Sequence, residues 1–123
     1  MAVKHINKRQ QALKHLEAAL RQFDRATSTL NFLTVTKAFE VLIEYEWREL
    51  KALVEDQGLD APSPKMALKQ AARLKLVTDL ESWLDCIDAR NNSVHDYFGI
   101  SEQEYVELAR KLVQLARARN STA

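Results

Sequence analysis

The chain has 123 residues, of which 46% are hydrophobic and 28% are charged, and this balance is typical of a soluble globular protein. Its 18 basic and 17 acidic residues leave a net charge of +1, which argues against general coating of DNA because that function requires a strong basic excess. A lone cysteine excludes an internal disulfide, and the sequence shows neither a signal peptide nor an apolar run long enough to cross a membrane. We therefore expect one domain, residues 1–123, located in the cytoplasm.

Apolar residues recur along the chain at steps of three and four, which is the spacing of amphipathic helices. The first predicted helix covers about residues 5–25 and the second about residues 31–57. The second helix has a predicted buried stripe of Phe32, Val35, Phe39, Leu42 or Ile43, Leu50, and Leu53 or Val54. Gly58 follows this stripe, where a residue in the left-handed conformation commonly ends a helix.

The segment LDAPSPK, residues 59–65, is the clearest break in the chain. Ser63 followed by Pro64 is typical of an N-cap with proline in the first helical position. The pair predicts the start of a short third helix.

Two later pairs of residues predict where the remaining helices begin. Thr78 with Glu81, and Ser101 with Glu104, have the spacing of capping boxes. No β pattern and no internal repeat competes with the helical spacing. The sequence therefore predicts an all-α fold, an antiparallel four-helix bundle with one extra short helix.

The helix predicted to begin at Thr78 carries polar residues on the stripe that it should bury. The stripe starts with Leu80, Trp83 or Leu84, and Ile87, and further steps of three and four reach Arg90 or Asn91 and then His95. Because burial of an unpaired guanidinium is costly, a cleft, a partner subunit or an anionic ligand is expected to meet Arg90. Alternatively, Arg90 reaches outward to solvent and His95 interacts favourably with the dipole at the end of its helix.

Arg90 and His95 together supply the minimum chemistry for cleaving RNA without a metal ion. Arginine is a permanent cation whose shape matches phosphate oxygens, and histidine exchanges a proton near neutral pH. His95 would take the proton of a 2′-hydroxyl, and Arg90 would stabilise the charge that grows on the phosphate.

The run from Arg90 to Tyr97, RNNSVHDY, fits the R-x4-H-x-Y motif, and in this the chain resembles HEPN proteins, in particular the HepT group. That group was first described as the substrate-binding partner of minimal nucleotidyltransferases. The resemblance extends to the segments AFEVLIEYEWRELKALVEDQG and SPKMALKQAARLKLVTDLESWLDCIDARN, and it covers about residues 10–115.

The resemblance implies a homodimer in which the Arg90 and His95 of both copies face one cleft and form a metal-independent endoribonuclease. It implies a toxin of a toxin–antitoxin pair, with RNA as substrate and a minimal nucleotidyltransferase as antitoxin. The antitoxin would transfer AMP to Tyr97, while Asn91 and Asp96 would support the catalytic pair. No cofactor and no metal are expected, and no membrane association. The alternative is a non-catalytic subunit, either a substrate-binding protein or an adaptor of the nucleotidyltransferase.

Other polar residues give weaker signals. Glu46 lies close to the stripe of the second helix, where it either pairs with Arg90 or is solvated, and the second interpretation is favoured. Cys86 has no nearby histidine, so it is interpreted as a core thiol and not as a nucleophile. A basic row on the short helix either follows an RNA backbone or, as we favour, is a solvated face: Lys65, Lys69 and Arg73.

Overall fold

A computed structural model describes the backbone of residues 3–93 and 101–122, and the side chains of residues 8–91 and 101–119. These residues form five helices and no strand: α1 (Val3–Arg25), α2 (Thr29–Asp56), α3 (Pro64–Arg73), α4 (Leu80–Ser93) and α5 (Glu102–Thr122). The predicted all-α class is confirmed, and the short extra helix is the ten-residue α3. Within the described ranges, no helix is long and apolar enough to span a membrane.

Serine side chains cap the starts of α2 and α3. The Oγ atom of Ser28 accepts a hydrogen bond from the backbone N–H of Asn31 at 3.1 Å. Helix α2 therefore begins at Thr29, two residues before the start predicted from the apolar spacing. The Oγ atom of Ser63 accepts one from the backbone N–H of Met66 at 3.2 Å, with Pro64 in the first turn as predicted. Local hydrogen bonding thus fixes where both helices begin.

The capping box predicted for α5 is confirmed, and the one predicted for α4 is wrong. The backbone N–H of Ser101 donates to Glu104 at 3.1 Å, and the backbone N–H of Glu104 donates to Ser101 Oγ at 3.0 Å. In α4 the cap is Asp79, one residue after Thr78. Its carboxylate accepts from both the backbone N–H (3.3 Å) and the hydroxyl (2.8 Å) of Ser82, which lowers the Asp79 pKa.

Two helices end in the same hydrogen-bond pattern, with a residue in the left-handed conformation. At the end of α2, Gly58 (φ +85°) donates to Glu55 at 2.9 Å and Leu59 donates to Val54 at 3.1 Å, so the predicted glycine cap is confirmed. At the end of α3 the corresponding residue is Lys75, with φ +62°. The chain therefore turns sharply after both helices, once with glycine and once with a strained lysine.

Helix directions follow from contacts at the two ends of the bundle. Phe32 and Phe39 meet the Tyr105 ring edge-on, with centroid distances of 5.8 and 5.0 Å, near the start of α5. Near the other end, Glu46 binds Arg119, so α2 and α5 run parallel. Helix α1 runs antiparallel to both of them, as expected for helices joined in sequence by short turns.

The core is built from the predicted stripes, with one correction. The largest fully buried apolar side chains come from all five helices: Leu16, Val35, Phe39, Leu42, Ile43, Leu50, Leu68, Trp83, Ile87, Tyr105 and Leu112. At the end of the α2 stripe, Val54 is buried, whereas Leu53 is 38% exposed. Of the two candidates for that position, only Val54 continues the buried face.

Glu46 is completely buried, and both interpretations given to it from the sequence are wrong. It neither pairs with Arg90 nor is solvated, because its carboxylate accepts hydrogen bonds from Arg9 of α1 and Arg119 of α5, each at 2.5 Å. Arg119 also binds the half-exposed Glu49 at 2.6 Å. We call these four side chains the Glu46 cluster; it connects the middle of α2 to both neighbouring helices.

Candidate functional site

Arg90 lies at the edge of the buried face of α4. The buried residues of this helix are Trp83, Cys86, Ile87 and Ala89, so Arg90 is one turn beyond the last large apolar side chain. Its side chain is 28% exposed, which is neither full burial nor free solvation. The sequence led us to expect a cleft, a partner subunit or an anionic ligand opposite this guanidinium; within the described chain, α2 provides a carboxylate.

That carboxylate belongs to Glu44, which lies in the segment of α2 that resembles the family but was not predicted to be part of the site. Its Oε1 atom forms an ion pair with Nη2 of Arg90, and its Oε2 atom accepts a hydrogen bond from Nε of Arg48 at 3.1 Å. The Glu44 side chain is 27% exposed. One partly exposed carboxylate therefore holds two guanidinium groups, and the three side chains together keep a charge of +1.

Asn91 adds a second contact to Arg90. Its Oδ1 atom accepts a hydrogen bond from Nη1 of Arg90 at 3.0 Å. The side chain itself is exposed, so the prediction that Asn91 points into the bundle is wrong. At 100° per residue, consecutive helix positions cannot share one narrow face, and Arg90 takes the inner position.

An open groove of about 590 Å³ runs along α2 beside Arg90. Three cations, two carboxylates and two apolar or aromatic side chains line it: Lys37, Arg48 and Arg90, Glu40 and Glu44, and Val41 and Tyr45. We call it the α2 groove. Ion pairs at such partly exposed positions contribute no more than about 1 kcal/mol, so an incoming anion can replace Glu44 on Arg90 at little cost. The geometry suits reversible binding of a phosphate group.

Three of the predicted site residues, His95, Asp96 and Tyr97, lie outside the described residues. Their roles remain predictions from the motif. The structure places Arg90 and Asn91 at the end of α4 that leads into this segment.

The other candidates from the sequence are accounted for by packing or pairing. Burial is the main cause that raises the pKa of the Cys86 thiol, which keeps it protonated and unreactive, as its interpretation as a core residue requires. In the basic row of α3, Lys65 forms an ion pair with Asp88 of α4 at 2.7 Å. The row is therefore not free along its whole length to follow an RNA backbone. Among the described side chains, no group of three or more His, Cys, Asp or Glu residues is arranged to hold a metal ion.

The fold and the groove define a class of small helical proteins that present a carboxylate-held arginine on an open surface between two helices. The sequence profile of the family described as nucleotidyltransferase substrate binding protein like matches residues 4–121. The chain belongs to this family, and the resemblance inferred from its sequence is confirmed. A search of curated proteins gave no match.

Proposed function

We propose that the protein is a metal-independent endoribonuclease, the toxin of a toxin–antitoxin pair that acts in the cytoplasm. The observation that carries the proposal is the position of Arg90. Its guanidinium is partly exposed on the α2 groove, where it pairs with the partly exposed carboxylate of Glu44, and it stands five residues before His95 in the motif. A phosphodiester would replace Glu44 on this guanidinium with little loss of stability.

The proposed reaction uses the RNA itself as nucleophile. His95 takes the proton of a 2′-hydroxyl, and the 2′-oxygen then attacks the adjacent phosphorus. Arg90 stabilises the negative charge on the phosphate oxygens as the bond to the 5′-oxygen breaks. The leaving oxygen gains a proton from a second histidine, so the products are a 2′,3′-cyclic phosphate and a 5′-hydroxyl.

A second histidine is available if the protein is a homodimer, which we also propose. Two copies related by a two-fold axis would place both Arg90 and His95 pairs along one cleft, with one histidine as base and the other as acid. Asn91 would support the site through its hydrogen bond to Arg90, and Asp96 would support it from the motif. Each copy is proposed to be a single domain over residues 1–123.

A second candidate function is a non-catalytic subunit that binds the substrate of a minimal nucleotidyltransferase or acts as its adaptor. The description of the family favours it. So does the ion pair between Arg90 and Glu44, which gives the arginine a structural role without RNA. The two functions differ in one measurable property, which is cleavage of RNA by the purified protein.

The purified protein is expected to cleave single-stranded RNA in the presence of EDTA. The nucleophile is the substrate's own 2′-hydroxyl and the charges come from side chains, so chelation should leave the rate unchanged. Mass spectrometry of the fragments should show 2′,3′-cyclic phosphate ends. An all-deoxy oligonucleotide of the same sequence is the control and should remain intact. Full-length RNA after prolonged incubation would instead support the non-catalytic subunit.

Tyr97 is expected to be adenylylated by the partner nucleotidyltransferase. With ATP, the phenolic oxygen would attack the α-phosphate and release pyrophosphate, leaving AMP close to Arg90. The added negative charge would compete with RNA for the guanidinium, so the modified protein should lose cleavage. Mass spectrometry of the peptide that contains Tyr97 measures the added AMP.

The control for this modification is an exposed tyrosine elsewhere on the chain. Tyr97→Phe should block the addition of AMP and stay active with the partner present, whereas Tyr45→Phe should still be modified. Failure of an active partner enzyme to label the wild-type protein would contradict the proposed regulation and leave the ribonuclease proposal standing.

A further inference from the structure

The α2 groove extends well beyond Arg90. Lys37, Val41, Tyr45 and Arg48 line it at successive turns of α2, so they form one row along the helix. Lys37 and Arg48 are eleven residue steps apart, which corresponds to about 16 Å of helix. This is much longer than one phosphate group, so the groove can hold neighbouring parts of a ligand bound at Arg90.

Tyr45 provides a flat apolar surface between the cations at the two ends of this row. Its side chain is 39% exposed, and it is one of four large hydrophobic residues exposed in the described part of the chain. An aromatic ring in a groove with cations on either side suits a ligand that combines a flat ring with negative charge. A nucleotide has both features, since its base stacks on aromatic rings and its phosphate binds cations.

Arg48 is oriented while much of its charge stays available. Its Nε atom donates to Glu44, and its guanidinium carbon lies 5.2 Å from the centre of the Trp47 ring. These contacts fix the direction of a side chain that is 68% exposed. Its two terminal nitrogens make no hydrogen bond to the described residues, and the same is true of the Lys37 ammonium group. Both cations are thus free to bind phosphate.

We propose that Tyr45 and Arg48 form a nucleotide subsite next to Arg90, which binds one base and one phosphate of single-stranded RNA. The inference rests on the proposed ribonuclease function and adds to it the residues that bind the nucleotide next to the scissile phosphate. Stacking on Tyr45 requires an unpaired base, so double-stranded RNA cannot use the subsite. Before RNA binds, Glu44 contacts both arginines, so the two guanidinium groups are already side by side for neighbouring phosphates.

A second copy of the chain is the other candidate to cover this surface. The proposed dimer cleft lies at Arg90; an isologous contact centred instead on Tyr45 would bring the Lys37 and Arg48 residues of both copies towards one patch, where like charges repel each other. Polyanionic RNA gains from the same charges. The arrangement of charge therefore favours RNA, and the mass of each variant in solution tests the protein contact.

The test is a coupling measurement between one side chain and one base. The full-length protein is titrated with a short single-stranded RNA whose 2′-hydroxyls are methylated to prevent cleavage, and with versions that lack a single base at each position in turn. For the wild type, loss of the base that occupies the subsite should weaken binding about tenfold. In Tyr45→Leu the same loss should have almost no effect, because the ring that the base contacts is already absent. Tyr45→Phe should behave as the wild type.

Arg48→Gln should weaken binding of every sequence to a similar degree and reduce the salt dependence of binding by about one ion. Lys69→Gln removes an exposed cation of α3 outside the groove and should change neither property.

The subsite is disproved if cleavage is intact and every single-base loss weakens binding to Tyr45→Leu as much as to the wild type. A protein that neither binds nor cleaves RNA overturns the proposed function as well. A change of solution mass in Tyr45→Leu, with RNA binding unchanged, assigns the surface to a protein contact instead.

Discussion

Arg90→Ala and His95→Ala are each expected to lower the rate of RNA cleavage by a factor on the order of 10² or more. The first variant removes the charge that stabilises the pentavalent phosphate, and the second removes the group that takes the 2′-hydroxyl proton. Single-turnover kinetics with saturating protein measures the loss in the chemical step. Arg90→Lys should recover only part of the rate, because an ammonium group lacks the planar fork of the guanidinium.

Loss of folding cannot account for such a decrease in the Arg90 variant. The side chain and its partner Glu44 are 28% and 27% exposed, so loss of this partly solvated ion pair should change the free energy of unfolding by no more than about 1 kcal/mol. Arg73→Ala, an exposed arginine on α3, is the matched control and should cleave at the parental rate. Equal rates for Arg90→Ala, His95→Ala and the parent would assign the protein to the non-catalytic alternative.

Glu46→Ala is expected to lower the free energy of unfolding by about 3–5 kcal/mol. The carboxylate is completely buried between Arg9 and Arg119, whose side chains are only 12% and 10% exposed. Removing it leaves two largely buried positive charges next to each other, with Glu49 at the surface as their remaining acidic partner. Urea denaturation followed by far-ultraviolet circular dichroism measures the change.

The same cluster contains its own control. Glu49 binds the same two arginines but its side chain is 46% exposed, so Glu49→Ala should cost about 1 kcal/mol or less. Replacing Glu46, Arg9 and Arg119 together by Leu, Met and Met should restore most of the stability, since an apolar set of similar volume avoids the desolvation of charges. Equal decreases in the free energy of unfolding for Glu46→Ala and Glu49→Ala would show that the buried carboxylate stabilises the fold no more than the exposed one.

Much of the fold was predictable from the sequence because its signals are local. The spacing of apolar residues predicted the five helices. Ser63 and Ser101 correctly marked the starts of α3 and α5, and Gly58 correctly marked the end of α2. The start of α4 was misplaced by one position, since Thr78 and Asp79 are both good N-caps and differ by a small free energy. A capping box at Thr78 would have used Glu81 as its partner. The observed cap, Asp79, instead forms two hydrogen bonds with Ser82, one position later.

Burial of Glu46 was also visible in the spacing, although its partners were not. Glu46 lies three positions after Ile43 and four before Leu50, so it belongs to the apolar stripe. Its charge suggested solvation because buried carboxylates are uncommon. The two arginines that stabilise it stand 37 and 73 positions away in the sequence, and no local pattern connects residues over such distances.

The site was predictable on α4 but not on α2. Arg90 was identified because it interrupts an apolar stripe within a recognisable motif. Which glutamate of α2 meets it depends on how far the two helices are displaced along their axes, and Glu40 and Glu44 are equivalent in spacing. The exposed ring of Tyr45 gives no pattern at all in the sequence, since an isolated exposed aromatic residue is common on protein surfaces.

The Glu46 cluster has a consequence for the order in which the protein is made. Arg9 is synthesised 37 residues before Glu46, whereas Arg119 is synthesised 73 residues after the carboxylate that it must meet. A nascent chain that lacks Arg119 and the end of α5 holds its buried carboxylate with one arginine fewer, so its folded state is less stable. Translation that stops before this point yields chains that open readily and are accessible to proteases. The bundle therefore reaches its full stability only after α5 has been synthesised as far as Arg119.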